Sequence, residues 1–360
     1  MSEGILPRLS RPVASSMVEI RLLEPGEEDE ADQFVQRCAA GTFFHLSGWK
    51  NVIEGVLKRQ CYWLTARRDN AICGVFPISR VRNKIFGDCL VSLPLAVYGG
   101  VCADDREVYF RLLSAGKELA AALGAKYLEM RNRTESFETG LPGRDLYVTF
   151  TLDLTPGPEV LLRNMPRDTR YAIRKSQKAD LTWTEDLTDR HFYEIYAQSV
   201  RRLGTPVFSR ELFLTLRREF PKNCRLFGVR KGSTAIAGVF CFYFRGQVLP
   251  YYGGSIAESH RDSPNNFMYW SLIEQSSREG YHSFDFGRSK KGTGAFHFKS
   301  AWSMQVEELP YRYQLVKASE IPRLSPVDAK FQLPIAVWKR LPLSWTKVIG
   351  PRVIRWIPSI

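Results

Sequence analysis

Along this chain the apolar positions switch between a two-residue period and a helical period, and they do so twice in the same order. Residues 62–81 alternate around Asp69-Asn70, which predicts a β-hairpin turning at that dipeptide. Residues 106–123 place Val108, Leu112, Leu113, Leu119 and Leu123 at helical spacing, and Gly124 supplies a stop. Strands over Tyr127–Met130 and Tyr147–Leu154 follow. Further on, the pattern predicts helices over 189–203 and 209–219, then strands over 225–231 and 235–252. The next helix is expected to start with Ser263 as its cap and Pro264 at its first position, and to stop at Gly280. Phe267, Trp270 and Ile273 line one of its faces. A strand over 282–286 and an aromatic strand, Phe296–Lys299, close the series.

The recurrence extends to residue identity. Gly74-Val75-Phe76 returns as Gly238-Val239-Phe240, and Tyr98-Gly99-Gly100 as Tyr252-Gly253-Gly254. Each Tyr-Gly-Gly leads through a polar loop to a helix, a glycine, and a strand ending in an acid and an arginine. These are Glu129 and Arg131 in the first copy, Asp285 and Arg288 in the second. The interval is that of a domain and too long for a solenoid repeat. The expected fold class is therefore α/β (α+β), two tandem homologous domains, each a mixed sheet flanked by helices. The expected division is a disordered lead-in over 1–16, a first domain over 17–152, a second over 153–316, and a tail over 317–360.

Composition narrows the function classes. The chain has 360 residues, 44% hydrophobic and 25% charged, as in globular proteins with ample cores. No run approaches the roughly 18 apolar residues of a membrane-spanning helix, and no secretory h-region opens the sequence. Seven scattered cysteines without a CxxC pair predict reduced, buried thiols, and five isolated histidines give no basis for a metal site. The net charge of +13 favours an anionic partner. The expected location is cytoplasmic, with peripheral contact at the inner membrane as an alternative.

Two segments concentrate the positive charge. Arg163, Arg167, Arg170, Arg174 and Lys178 recur at helical intervals, with Asp168 as the sole nearby acid. They form a phosphate-contacting stripe or a solvated outer face. From Phe331 onward, Trp338, Trp345 and Trp356 stand beside Lys339, Arg340, Lys347, Arg352 and Arg355 with no acid. Prolines exclude one long helix there. Short amphipathic pieces over 331–360 suit an anionic bilayer surface. Equally, they suit packing back over a domain.

The chemistry is read by elimination and position. No GxGxxG follows a strand, no P-loop is present and no GxSxG elbow occurs. Asp285 closes a strand, and Gly287-Arg288-Ser289-Lys290-Lys291 after it combines cations with flexible amides suited to an anion or a developing oxyanion. Lys299 follows in an aromatic setting able to exclude water. The plainer alternatives are an Asp285–Arg288 salt bridge and a snorkelling Lys299.

Several stretches taken in order resemble the FemAB-like proteins of the exosortase (PEP-CTERM) systems. These are Gly204-Thr205-Pro206-Val207-Phe208, Val248-Leu249-Pro250-Tyr251-Tyr252-Gly253-Gly254, Asn266-Phe267-Met268-Tyr269-Trp270, Phe284-Asp285-Phe286-Gly287-Arg288-Ser289-Lys290, and Gly292 through Lys299. The resemblance implies two tandem acyltransferase domains of the GNAT type. It also implies transfer of an acyl or aminoacyl group to an amine of a peptidoglycan, cell-envelope or exopolysaccharide precursor. The donor is then a co-substrate, an aminoacyl-tRNA or an acyl carrier or CoA thioester, with no resident cofactor. The acceptor is a nucleotide- or lipid-linked saccharide. On this reading Asp285 orients the acceptor or takes its proton, and Lys299 stabilises the oxyanion. Arg288 and Lys290 contact phosphates, Arg170 and Arg174 extend that surface, and Tyr252, Asn266 and Phe298 bind substrate. One departure is plain: Ser255–Asn265 lacks the glycines of a CoA pyrophosphate loop, which favours an aminoacyl-tRNA or carrier-bound donor. The competing classes are a non-catalytic membrane-surface scaffold and an RNA-binding protein.

Overall fold

The computed structural model describes residues 17–83, 87–322 and 329–357, so the expected lead-in over 1–16 lies outside the described residues. Two sheets of eight strands form the frame. Chain order runs through β1 (Glu19–Leu22), β2 (Cys61–Arg68), β3 (Ala71–Asn83), β4 (Gly87–Val91), β5 (Cys102–Ala103), β6 (Tyr127–Arg131) and β7 (Gly143–Arg144) in the first sheet. It then passes to the second with β8 (Tyr147–Asp153), β9 (Leu181–Thr184), β10 (Cys224–Lys231), β11 (Thr234–Phe244), β12 (Gln247–Ser255), β13 (Ser283–Asp285), β14 (Ser289–Lys290) and β15 (Gln305–Glu308). The last strand, β16 (Tyr311–Leu315), returns to the first sheet.

The spatial orders superimpose. The first sheet reads β1-β2-β3-β4-β6-β16-β7 and the second, reversed, β9-β10-β11-β12-β13-β8-β14. The sequence repeat is thus a structural repeat in which one strand of each unit is exchanged. β8 pairs with β13 and β16 with β6. The sheets therefore do not divide at 152/153: that expected boundary cuts through β8, which belongs wholly to the second sheet, while the chain re-enters the first sheet near 311.

Helices complete each unit. In the first, α1 (Glu28–Arg37) and α2 (Gly48–Val52) precede the hairpin, and α3 (Arg106–Ala122) makes the crossover that lets β4 and β6 run parallel. In the second, α4 (Pro158–Asn164) and α5 (Arg167–Gln177) come first, then α6 (Asp189–Leu203), α7 (Arg210–Glu219) and the crossover α8 (Pro264–Arg278). Asp69 and Asn70 both take positive φ, 51° and 64°, as a two-residue hairpin turn requires. Arg245 and Gly246 do the same at 48° and 74°, splitting the strand expected over 235–252 into β11 and β12. Gly124 and Gly280 end their helices at φ 63° and 85°.

Three expectations fail locally. The chain over 294–300 is a helix, α9 (Gly294–Ser300), and no aromatic strand forms. The Thr293 hydroxyl caps it by accepting from the Phe296 amide, and four residues are too few for their period to distinguish strand from helix. Ser263 precedes α8 but bonds no helix amide through its side chain; its backbone is left-handed at φ 53°. The five-cation stripe is broken at Met165-Pro166, because a residue before proline is pushed out of helical geometry. Arg163 belongs to α4, Arg167, Arg170 and Arg174 to α5, and Lys178 to its C-cap.

An aromatic seam joins the two units. Phe43 stacks on Phe242 at 4.4 Å between centroids, Phe44 meets Tyr98 at 5.8 Å and Tyr251 at 5.3 Å, and Trp49 packs on Phe220 at 5.6 Å. These residues form one buried cluster with both sheets, and a second cluster lies on the far side of each. The tail forms α10 (Ala329–Arg340) and α11 (Leu343–Ile354), both against α6. Trp338 donates from Nε1 to the Thr205 carbonyl at 3.0 Å, and Lys347 pairs with Glu194. The tail thus packs back on the protein, yet Trp345 stays 60% and Trp356 47% exposed. No described helix is long and apolar enough to cross a membrane.

Candidate active site

β12 and β13 pair at only two positions, Gln247 with Ser283 and Val248 with Phe284, and then part. Two parallel strands that diverge leave backbone edges open between them, so the root of the fork is a natural place for a ligand. β12 also carries a bulge here. Its pairing to β11 goes from Val248–Pro250 straight to Tyr252, leaving Tyr251 as the extra residue. Tyr251 turns its hydroxyl to the Leu95 carbonyl of the first unit at 2.6 Å.

Asp285 stands at the root of the fork and is fully buried. Its carboxylate accepts from the Thr149 hydroxyl at 2.6 Å, the Gly287 amide at 2.8 Å and the Tyr98 hydroxyl at 2.7 Å. The last bond crosses from the first unit. Arg133 lies over the Tyr98 ring at 5.3 Å and pairs with Glu307 at 2.8 Å, bringing a positive charge near the buried carboxylate. A carboxylate held by three donors is organised as an anchor, which accounts for its tolerance of burial. The Arg288 guanidinium does not form the Asp285 salt bridge that was the plainer alternative. That guanidinium sits between Tyr147 and Tyr311, 4.7 Å and 6.0 Å from their ring centroids.

Lys299 arrives from α9 and aims back at the same turn. Its ammonium donates to the carbonyls of Phe286 at 2.5 Å, Gly287 at 2.9 Å and Arg288 at 3.3 Å, and lies 5.5 Å from the Phe286 ring centre. Burial brings its pKa down to about 8; Asp285 opposes that shift and Arg288 adds to it. The stem is partly exposed while the charged end is enclosed, so Lys299 is not a snorkelling surface lysine. Phe298 joins Tyr269, Phe286 and Trp302 in an aromatic wall beside it.

The structure gathers Asp285, Arg288, Lys299 and Phe298 around the turn over 286–288. Lys290 sits just beyond, in β14, opposite Tyr147. Asn266 is half-buried in the first turn of α8; its neighbour Asn265 has a buried Oδ1 with no partner among the described residues. Arg170 and Arg174 stand on α5, which packs along α8, with Arg174 exposed and Arg170 donating to the Arg163 carbonyl. Tyr252 is the misplaced member. It is buried among Tyr196, Phe208 and Phe213, away from the 286–288 turn, and its hydroxyl has no partner among the described residues. Its counterpart Tyr98 reaches Asp285 instead. The repeated Tyr-Gly-Gly was visible in the sequence, but only the docking of the two units shows which copy serves the fork. Thr149 carried no comparable signal.

In the first unit the equivalent fork is filled. Val91 pairs with Glu129, and Arg131, wholly buried, bonds Glu129 at 2.9 Å and the carbonyls of Leu93 at 3.2 Å and Ala96 at 2.9 Å. Among the described residues no cluster of His, Cys, Asp or Glu could hold a metal ion.

Two mixed sheets flanked by helices, each with a parallel fork, define a tandem GNAT-like fold. Residues 163–300 match the acetyltransferase (GNAT) domain family, a span from the last turn of α4 to the end of α9 that includes Asp285 and Lys299. Among solved structures the chain is similar to FemX, at 14% identity over 83% of this chain and 98% of that one, with a TM-score of 0.66. It is also similar to the C-terminal domain of an Agrobacterium fabrum protein named for lysylphosphatidylglycerol synthesis, at 14% identity over 81% and 91%, TM-score 0.55. A tandem GNAT protein from the clavulanic acid pathway aligns at 12% identity over 84% and 100%, TM-score 0.51. No curated protein matches the chain in sequence.

Proposed function

We propose that the protein is an N-acyl or aminoacyl transferase acting at the fork of the second sheet, on an amine of a cell-envelope or exopolysaccharide precursor. The observation that carries this reading is the enclosed Lys299 ammonium beside the fork, inside the stretch that matches the GNAT family. The acceptor amine attacks the donor carbonyl and a C–N bond forms. The C–O or C–S bond to the carrier then breaks, and the proton lost by the nitrogen ends on the departing hydroxyl or thiol. As the carbonyl oxygen becomes negative, Lys299 exchanges its longest contact, to the Arg288 carbonyl, for that oxygen. Asp285 acts as a positioning residue, through Tyr98 and the Gly287 amide.

An aminoacyl-tRNA or carrier-bound donor is favoured over free acyl-CoA. In α8 the Asn266 and Phe267 amides turn back to the Ser263 carbonyl, and the 3₁₀ stretch Ala257–Asp262 fills the preceding loop. Amides so occupied do not offer the pyrophosphate cradle of a helix N-terminus. The exposed cations of α5, Arg167, Arg174 and Lys175, supply phosphate contacts along the same flank. The fold is compatible with aminoacyl transfer, since a neighbour in structure is named for joining lysine to phosphatidylglycerol.

The test is transfer of a labelled amino acid from a charged tRNA pool, and of acetyl from acetyl-CoA, to nucleotide-linked amino sugars. Lys299→Ala is expected to lower turnover about a hundredfold or more while the protein stays folded. Unchanged turnover would remove Lys299 from the chemistry.

A further inference from the structure

A second site lies away from the fork, where the tail closes on the start of the first hairpin. A cavity of about 570 Å³ is lined there by Lys58, Arg59, Arg80, Arg82, Arg352 and Arg355, with Trp356 at its side. None of the described residues lining it is acidic. The nearest carboxylate partner is Asp88, which pairs with Arg80 and lies 3.7 Å from Arg82. One acid against six cations leaves a strong excess of positive charge around a cavity open to solvent on one side, which favours a counter-charge there.

Arg59 makes this more than a basic surface. It is 6% exposed, and its Nη2 donates to the carbonyls of Ile354, Arg355 and Ile357 at 3.0–3.1 Å, which fixes the end of α11 against the hairpin. Its Nε and Nη1 are buried and have no partner among the described residues. Burial, aided by nearby Arg131, lowers its pKa to about 10. A buried guanidinium with two idle donors is costly unless an anion accepts them.

The outer face of α11 leads to the same place. Trp345, Val348, Ile349 and Arg352 succeed one another at helical intervals, with Trp345 and Val348 60% and 59% exposed. The opposite face, Thr346, Gly350 and Ile354, is buried; a Cβ on Gly350 would come within 2.4 Å of the Val207 carbonyl oxygen. An apolar ridge running into a cationic cavity has the two-part character of an amphiphile with a phosphate head.

We infer that this cavity binds the phosphate group of a lipid, seating the protein on an anionic membrane through the Trp345–Val348–Ile349 ridge. The arginine forks donate to the phosphate oxygens and the ridge enters the interface between head groups and chains. The assignment is independent of the transfer chemistry at the fork.

Full-length protein is sedimented with vesicles of phosphatidylcholine alone and with added phosphatidic acid, and soluble pyrophosphate is titrated separately. Binding is expected only with phosphatidic acid, with competition by pyrophosphate. Arg352→Gln/Arg355→Gln, two solvent-facing positions, is expected to weaken vesicle binding roughly thirtyfold without lowering the unfolding temperature. Trp345→Ser/Val348→Ser is expected to lose vesicles but keep pyrophosphate. If pyrophosphate binds while phosphatidic acid vesicles do no better than neutral ones, the ligand is a soluble phosphate ester and the lipid assignment fails. If neither binds, or the arginine variant binds as the parent does, the site itself is refuted. Transfer assays on both variants keep this outcome separate from any failure at the fork.

Discussion

The Tyr98 hydroxyl lies 2.7 Å from Asp285 Oδ2, a bond that joins a loop of the first unit to the root of the fork in the second. Burial pushes the Tyr98 hydroxyl well above its ordinary pKa, and the adjacent carboxylate reinforces the shift, so Tyr98 stays a donor across the working pH range. The fork is therefore built jointly, and neither unit holds it alone.

Tyr98→Phe leaves a buried carboxylate short of one donor, and a loss of about 1–3 kcal/mol in unfolding free energy is expected. Tyr252→Phe removes a hydroxyl without a partner among the described residues and should cost close to zero. Denaturant unfolding of the two variants side by side checks the contrast; equal losses would mean the pairing at Asp285 is not what stabilises the seam.

Strand exchange and the shared seam predict one cooperative unfolding event. The chain completes the second sheet before β16 returns to the first, and one aromatic cluster buries a face of both sheets together. Calorimetry should give a single transition with matching calorimetric and van't Hoff enthalpies. Two resolved transitions would show that the exchanged strands contribute little.

Lys299 sets a pH window. Its folded pKa of about 8 lies below the 10.5 of an ordinary lysine, so between those values the unfolded chain holds the proton more tightly. This group's contribution to stability is unfavourable below pH 8 and is relieved as pH rises through that window. Turnover that depends on the ammonium should fall through about pH 8, and Lys299→Arg should abolish that limb. A pH–rate profile of both proteins decides it.

His45 acts in acid. Burial lowers its pKa to about 4 from 6.5, and the ring bonds the Gly100 carbonyl at 3.0 Å, steadying the loop that carries Tyr98. Below 6.5 the unfolded chain takes up a proton that the folded chain resists. Stability from this group is therefore lost as pH falls from 6.5 toward 4. In His45→Gln the slope of unfolding free energy across that window should shrink, measured as denaturant midpoints against pH.

The local pattern carried much of the fold. The hairpin at Asp69-Asn70, the helix stops at Gly124 and Gly280, and the internal repeat all follow from short-range rules of spacing and backbone conformation. Asp285, Lys299, Arg288 and Phe298 were legible as candidates because they cluster within fifteen residues of sequence, 285–299. Their roles were less legible: whether Asp285 is free, or Lys299 exposed, depends on partners that are distant in the chain.

The sequence by itself determined that there are two like units, where most of their elements start and stop, and which residues bear chemistry near the end of the second. Only the tertiary structure decided that the units exchange β8 and β16, that Tyr98 rather than Tyr252 meets Asp285, that 294–300 coils into a helix, and that Arg59 and the tail enclose a cationic cavity. The reason is physical. Periodicity and turn chemistry act over a few neighbouring residues, whereas strand partners, buried hydrogen bonds and desolvation are set by which surfaces come together in space.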